Sequence, residues 1–456
     1  MVSLQQREIY SKRYFNVLLK KGSLEQFRLN QRKAIFLLLV SLYSFTAFTA
    51  SAEPSHTPKR MPIVNAELVG MSTDGLNRID ELMQEHIVLG HIQGGVTVVA
   101  RRGKVVHFST HGEMDSIKGR AMETDTIFAI ASMTKPVLGV AAMIAIEDGL
   151  IKASDPVSKY IPEFADMKVA VRDKSFSAKG KDGFKARIMG KEKRQKPEPR
   201  LVALESPVTI HHLLTHTSGL GKLRQSEKPK KDDTLATYIP RLAQVPLNFQ
   251  PGTHWEYSLG LDIVARVIEI VSKTPFDAFV QKRIFDPLEM NNTFFHVPTE
   301  KKSKTFVYTG TAARKSKDWF KPTSYVSASA GLSSTAEDFL YFQQMLLNGG
   351  ELFGQRVLSQ NSVDIMSRNH AGDLFEQARK GIKGKGMGYT VSVVTDSNLS
   401  RSYRGKGSFG WAGATRTDSW TDPENELVAV YFPAKPRGGN VYKDFQKAIL
   451  QAINKN

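Results

Sequence analysis

Ser132-Met133-Thr134-Lys135-Pro136 stands between the apolar Ile127-Phe128-Ala129-Ile130 and a longer apolar run, Val137 to Ile146, that ends at Asp148-Gly149. Proline has no N–H for an intrahelical bond, so Pro136 belongs in a first helical turn. The run after it predicts a helix buried on nearly every side. Positions i and i+3 share a helix face, so the Ser132 hydroxyl and the Lys135 amine can meet there. The N–H groups of a helix start are unpaired and electropositive. Together these groups can make an alcohol nucleophilic and hold the anion it forms. A lone Ser-x-x-Lys occurs often by chance; its place between a strand-like segment and a buried helix is what raises it.

The chain has 456 residues, 41% of them apolar, which suits one large domain with a substantial core. Residues Arg32-Lys33, the apolar run Ala34–Ala50 and the ending Ala50-Ser51-Ala52 read as a secretory signal peptide over 1–52. Export to a periplasm or to the medium is expected, with an uncleaved membrane anchor as the alternative. There is no cysteine, which removes disulfides, thiolate metal sites and a cysteine nucleophile. No His-Glu-x-x-His pattern occurs among the eleven histidines, so no metal and no cofactor is expected.

The net charge of +18 suggests nucleic acid, but its distribution does not. Residues 1–52 hold eight Lys/Arg against two acidic residues, and 168–200 hold twelve against four, which leaves +4 elsewhere. No aromatics interleave with arginines as a single-strand binder requires. Residues 168–200, rich in Lys, Gly and Pro without apolar period, read as an exposed basic insertion; contact with an anionic cell-envelope polymer is the other use for it.

Leu76, Ile79, Leu82, Met83 and Ile87 repeat at helical spacing after a Ser72 cap, and Gly90 stops them. Val96–Ala100 and Val105–Ser109 predict a hairpin. Met387–Val394, Ser408–Thr417 and Glu426–Phe432 predict three more strands, followed by an amphipathic helix from Val441 to Ile453. The span from about 137 to 365 is mainly helical, including Leu261–Val271, Phe276–Arg283 and Ala336–Leu347. Strands at both chain ends with helices between them predict one sheet built from distant segments, a helical lobe inserted into it, and a single domain over 53–456.

Two further stretches carry chemistry. Tyr257, in Trp255-Glu256-Tyr257-Ser258-Leu259, is either a structural tyrosine or a phenol beside Lys135 that takes the proton from Ser132. Glycines in Gly407-Ser408-Phe409-Gly410-Trp411-Ala412-Gly413-Ala414 mark either a bulged edge strand or close approach of a ligand or backbone. His211, His212 and His216 near Ser218 suggest a Ser-His-Asp hydrolase, but no Gly-x-Ser-x-Gly elbow accompanies them.

In order and spacing, Ser132-x-x-Lys135, Tyr257 and Trp411-Ala412-Gly413 resemble the serine β-lactamase and penicillin-binding-protein superfamily. The class C β-lactamase branch, with its family VIII carboxylesterases, is the nearest in pattern. Leu213-Leu214-Thr215-His216-Thr217-Ser218-Gly219-Leu220, Phe249-Gln250-Pro251-Gly252-Thr253 and Ser329-Ala330-Gly331-Leu332 agree with it. The resemblance implies the α/β (α+β) transpeptidase-like fold with a mainly antiparallel sheet. It also implies Ser132 as nucleophile, Lys135 and Tyr257 as acid–base pair, and an oxyanion hole from the N–H groups of Ser132 and Ala414.

Leu259 stands where the lactamase tyrosine motif has asparagine, and Trp411 where the last motif has lysine. Losing those partners weakens recognition of a β-lactam or peptide terminus by roughly 1–3 kcal/mol each, though Arg416 offers a replacement charge. With Gly413 alongside, Leu259 and Trp411 suit an uncharged acyl or alcohol group. The expected reaction is hydrolysis of a small-molecule ester through an acyl-enzyme. The alternatives are a D-Ala-D-Ala carboxypeptidase or β-lactamase, and a non-catalytic penicillin- or peptidoglycan-binding envelope protein.

Overall fold

Eight strands drawn from both ends of the chain form one antiparallel sheet. They are β1 (Gly94–Arg101), β2 (Lys104–Asp115), β3 (Arg120–Ala121), β4 (Lys385–Met387), β5 (Ser392–Val394), β6 (Phe409–Ala412), β7 (Asp418–Asp422) and β8 (Leu427–Ala434). Their order is β4-β5-β6-β7-β8-β1-β2-β3, so the first and last strands of the chain meet at β1 and β8. The computed structural model describes residues 59–171, 198–221, 223, 225–258, 260–308, 320, 323–434 and 438–454. They lie within one compact unit, Lys59–Asn456. The signal peptide expected over 1–52, Leu259, and residues 172–197 of the basic insertion lie outside the described residues.

All eight residues of β1 are buried because both faces of the sheet are covered. On one face pack α1 (Thr73–Val88) and the C-terminal helix Val441–Ala452, with Leu76, Ile79 and Met83 against Phe445, Ala448 and Ile449. The Ser72 side chain caps α1 by accepting from the Gly75 N–H at 3.1 Å. On the other face lies the larger core, which includes α2 (Thr134–Glu147) and the helices Leu261–Ser272 and Ala336–Leu347. Every residue of α2 from Thr134 to Ala145 is buried, as its unbroken apolar run predicts. No helix among the described residues is long and apolar enough to cross a membrane.

Three sequence expectations need correction. Met387–Val394 is not one strand but the hairpin of β4 and β5, whose connection carries Thr390 at φ 66°. Ser408–Thr417 is likewise shorter: β6 stops at Ala412, and Gly413–Arg416 turns the chain into β7, with Arg416 at φ 66°. Apolar alternation through Met387, Tyr389, Val391 and Val393 continues across the first turn, so the sequence pattern hides it. Finally, the basic insertion has structured ends. Lys168–Val171 and Arg200–Ala203 pair as an antiparallel ribbon, with Val169 buried.

Candidate active site

Ser132 sits in a single 3₁₀ turn, Ala131–Met133, from which α2 continues at Thr134. Ala131, just before it, holds a left-handed φ of 46°, a conformation that costs a non-glycine residue about 1–3 kcal/mol and is kept where surrounding contacts enforce it. The contacts are visible: Ile130 N–H donates to Leu332 O at 3.0 Å, and the Thr134 hydroxyl donates to Ala131 O at 2.7 Å while accepting from Leu332 N–H at 3.1 Å.

Three residues singled out by sequence meet here. Ser132 Oγ lies 2.7 Å from the Tyr257 hydroxyl, and Lys135 Nζ donates to Ser132 Oγ at 3.2 Å. The ammonium also donates to Ser329 O at 2.7 Å and stands 4.7 Å from the Tyr257 ring centroid. Lys135 is fully buried, and burial pushes its pKa below the ordinary lysine value; Tyr257 and then Asp262 oppose that shift. Asp262 is buried too, which raises its pKa. Its oxygens nonetheless accept from Ser329 N–H at 2.7 Å, the Tyr325 hydroxyl at 2.5 Å and the Ser327 hydroxyl at 3.4 Å. These hydrogen bonds, and the Lys135 charge, act against that rise. Asp262 therefore holds Ser329 by its N–H while Lys135 takes its carbonyl.

The glycine-rich segment is not an edge. β6 lies between β5 and β7, and beyond it Gly413 presses on the Ser132 turn. A Cβ on Gly413 would stand 2.3 Å from Ile130 O, so only glycine permits this approach. The Thr415 hydroxyl donates to Ala129 O at 3.0 Å and ties the turn down further. Neither the Ser132 N–H nor the Ala414 N–H donates to another described residue. Ser132, Trp411, Gly413 and Ala414 line one cleft of about 1370 Å³, and Trp411 stacks on Tyr257 with ring centroids 5.8 Å apart and planes 9° from parallel.

Sequence reasoning missed several residues. His216, in the turn that follows the helix Ile210–Leu214, is buried against the Tyr257 ring at 4.9 Å, with φ 60°. Its Nδ1 accepts from Ser258 N–H at 3.3 Å, and burial, then Lys135, drive its pKa well down, so it is neutral. The Ser-His-Asp alternative gains nothing, since His211 pairs with the Tyr389 hydroxyl at 3.1 Å and His212 with the Thr209 N–H at 3.2 Å. Arg416 is exposed and does not line the cleft; Lys385 and Arg404 do. Asp262 carried no signal beyond its helix. The one group of three or more His, Asp or Glu side chains among the described residues whose ligand atoms all fall within 4.8 Å of one another is Asp80, His107 and His111. None of the three lines the cleft, and the Thr97 hydroxyl already bonds both rings, at 2.8 and 2.9 Å.

The family described as Beta-lactamase matches residues 77–452. The chain belongs to the Beta-lactamase family. It is a serine hydrolase of that family, with the β-lactamase/transpeptidase-like fold. Protein Rv1367c of Mycobacterium tuberculosis (strain ATCC 25618 / H37Rv) is 32% identical over 366 residues, covering 75% of this chain and 86% of that protein. Esterase EstB of Burkholderia gladioli is 28% identical over 373 residues, covering 74% and 84%. Among solved structures, EstCE1, a hydrolase with promiscuous acyltransferase activity, superposes with a TM-score of 0.67 at 23% identity, over 83% of this chain and 99% of that one. That likeness concerns the fold.

Proposed function

We propose that this chain hydrolyses carboxylic esters through an acyl-enzyme on Ser132. The observation that carries the reading is the 2.7 Å contact of the Ser132 and Tyr257 oxygens beside the buried Lys135 ammonium. Tyr257 acts as the phenolate, held by the adjacent Lys135 ammonium, and takes the Ser132 proton as Oγ attacks the ester carbonyl. The N–H groups of Ser132 and Ala414 receive the tetrahedral oxyanion. Collapse breaks the bond to the alcohol, which leaves with the proton from Tyr257. Water then repeats the sequence on the acyl-enzyme and releases the acid.

Trp411 at the position of the family's usual cation, and the likeness to esterase EstB, favour esters over β-lactams. Export on the N-terminal signal is part of the same proposal. Purified protein tests it on p-nitrophenyl acetate and butyrate beside Ser132→Ala. Turnover that vanishes with the hydroxyl is expected. Turnover that survives, or nitrocefin cleaved faster than either ester, would overturn the reading.

A further inference from the structure

The cleft that holds Ser132 is lined by six cationic side chains, Arg379, Lys383, Lys385, Arg401, Arg404 and Lys443, against one carboxylate, Asp418. That excess of +5 is larger than the +4 the chain carries outside 1–52 and 168–200, so the rest of that part sums to about −1. Composition does not account for it; positive charge is gathered at this opening.

Among the described residues only one of the six has an acidic partner. Arg404 pairs with Asp418 at 3.1 Å, both side chains about one-tenth exposed, and its guanidinium lies 4.4 Å from the Trp420 ring. Arg379 lies over Trp255 and Phe375, at 5.8 and 5.6 Å from their ring centroids, and has no acidic partner among the described residues. Lys385 is half-buried on β4, and its ammonium makes no hydrogen bond or ion pair with any described residue. Burial, then Arg404, lower its pKa, with Asp418 opposing. A half-buried lysine beside two arginines is unfavourable unless an anion completes the group.

We propose that the ester cleaved at Ser132 carries a carboxylate, seated on Lys385 and Arg379 at the far side of the Trp411 strand. This deepens the ester-hydrolase reading and rests on it. It replaces the uncharged substrate that Trp411 alone suggests: the aromatic face flanks the reacting bond, and the charge is read beyond it. The cations come from β4, from the segments around 379 and 401, and from the C-terminal helix, none of them the position of the family's usual lysine.

The test compares mono-p-nitrophenyl glutarate with its methyl ester, which places the charge on the acyl side. A second arm compares 3-carboxy-4-nitrophenyl butyrate with p-nitrophenyl butyrate, which places it on the alcohol side. Each rate is divided by the rate in hydroxide. The expected result is a preference of about tenfold or more in kcat/KM for the anionic member of one arm. High salt should erode it. Lys385→Gln should collapse the ratio and Lys385→Glu reverse it, each read within the same variant and checked for folding by circular dichroism. Neutral esters turned over with no preference in either arm, or a preference that both substitutions leave intact, overturns the inference and spares the esterase reading. Failure on every ester overturns both.

Discussion

The Tyr257 ring lies under the Lys135 ammonium, 4.7 Å from nitrogen to ring centroid, while its hydroxyl reaches Ser132 Oγ at 2.7 Å. Ring and hydroxyl thus do separate work, and Tyr257→Phe divides them. The phenylalanine keeps the face on which Lys135 and Trp411 rest, so the fold should survive. Stopped-flow release of p-nitrophenol should show acylation slower by roughly two to four powers of ten. A near-normal rate would mean another group accepts the proton.

Asp262 accepts from the N–H of Ser329, the residue to whose carbonyl Lys135 donates, and its charge opposes the burial that lowers the Lys135 pKa. Asp262→Asn removes that opposition, so the lysine should deprotonate at still lower pH. The falling limb of kcat/KM, where Lys135 loses the charge the reaction uses, should move to lower pH. A limb that stays in place or moves upward would contradict this electrostatic role.

Which parts of this arrangement the sequence disclosed follows from the range of the forces involved. The Ser132–Lys135 pairing is a matter of local helical spacing, and α2 announced itself by an apolar run. The meeting with Tyr257, 125 positions away, was legible only through resemblance. Asp262 and His216 act through burial, which no spacing encodes. The turn at 388–391 was hidden because alternation runs through it, and there and at 413–416 Thr390 and Arg416 adopt left-handed conformations that glycine or asparagine would have advertised. The cationic cleft escaped notice for a similar reason, since its charges are scattered from 379 to 443 and converge only in the fold.

Gly413 touches the carbonyl of Ile130, and a Cβ there would come within 2.3 Å of it. Gly413→Ala must push the Ala414 N–H away from the Ser132 turn. Ester turnover should fall about tenfold or more, since small displacements of catalytic donors are costly. Steady-state kinetics of the folded variant check this; an unchanged rate would show that the oxyanion is held elsewhere.

Burial holds three histidines neutral: the buried His107 and the half-buried His211, each with a pKa lowered to about 4, and the buried His216, held well below its ordinary value. The unfolded chain takes up these protons near the ordinary value of 6.5, whereas the folded protein does not. Below pH 6.5 the unfolded state therefore binds more protons, and stability falls as pH drops towards 4. Each pH unit separating the two values is worth about 1.4 kcal/mol per group. Thermal unfolding between pH 7 and 4.5 should show a steadily falling Tm, and a flat profile would contradict the neutral assignment.

The most direct measurement is the mass of the protein quenched in acid during turnover of a slow p-nitrophenyl ester. An increase equal to one acyl group, mapped by peptide fragmentation to Ser132 and missing from Ser132→Ala, is the predicted result. Turnover without an adduct at Ser132, or an adduct on another residue, would contradict the account.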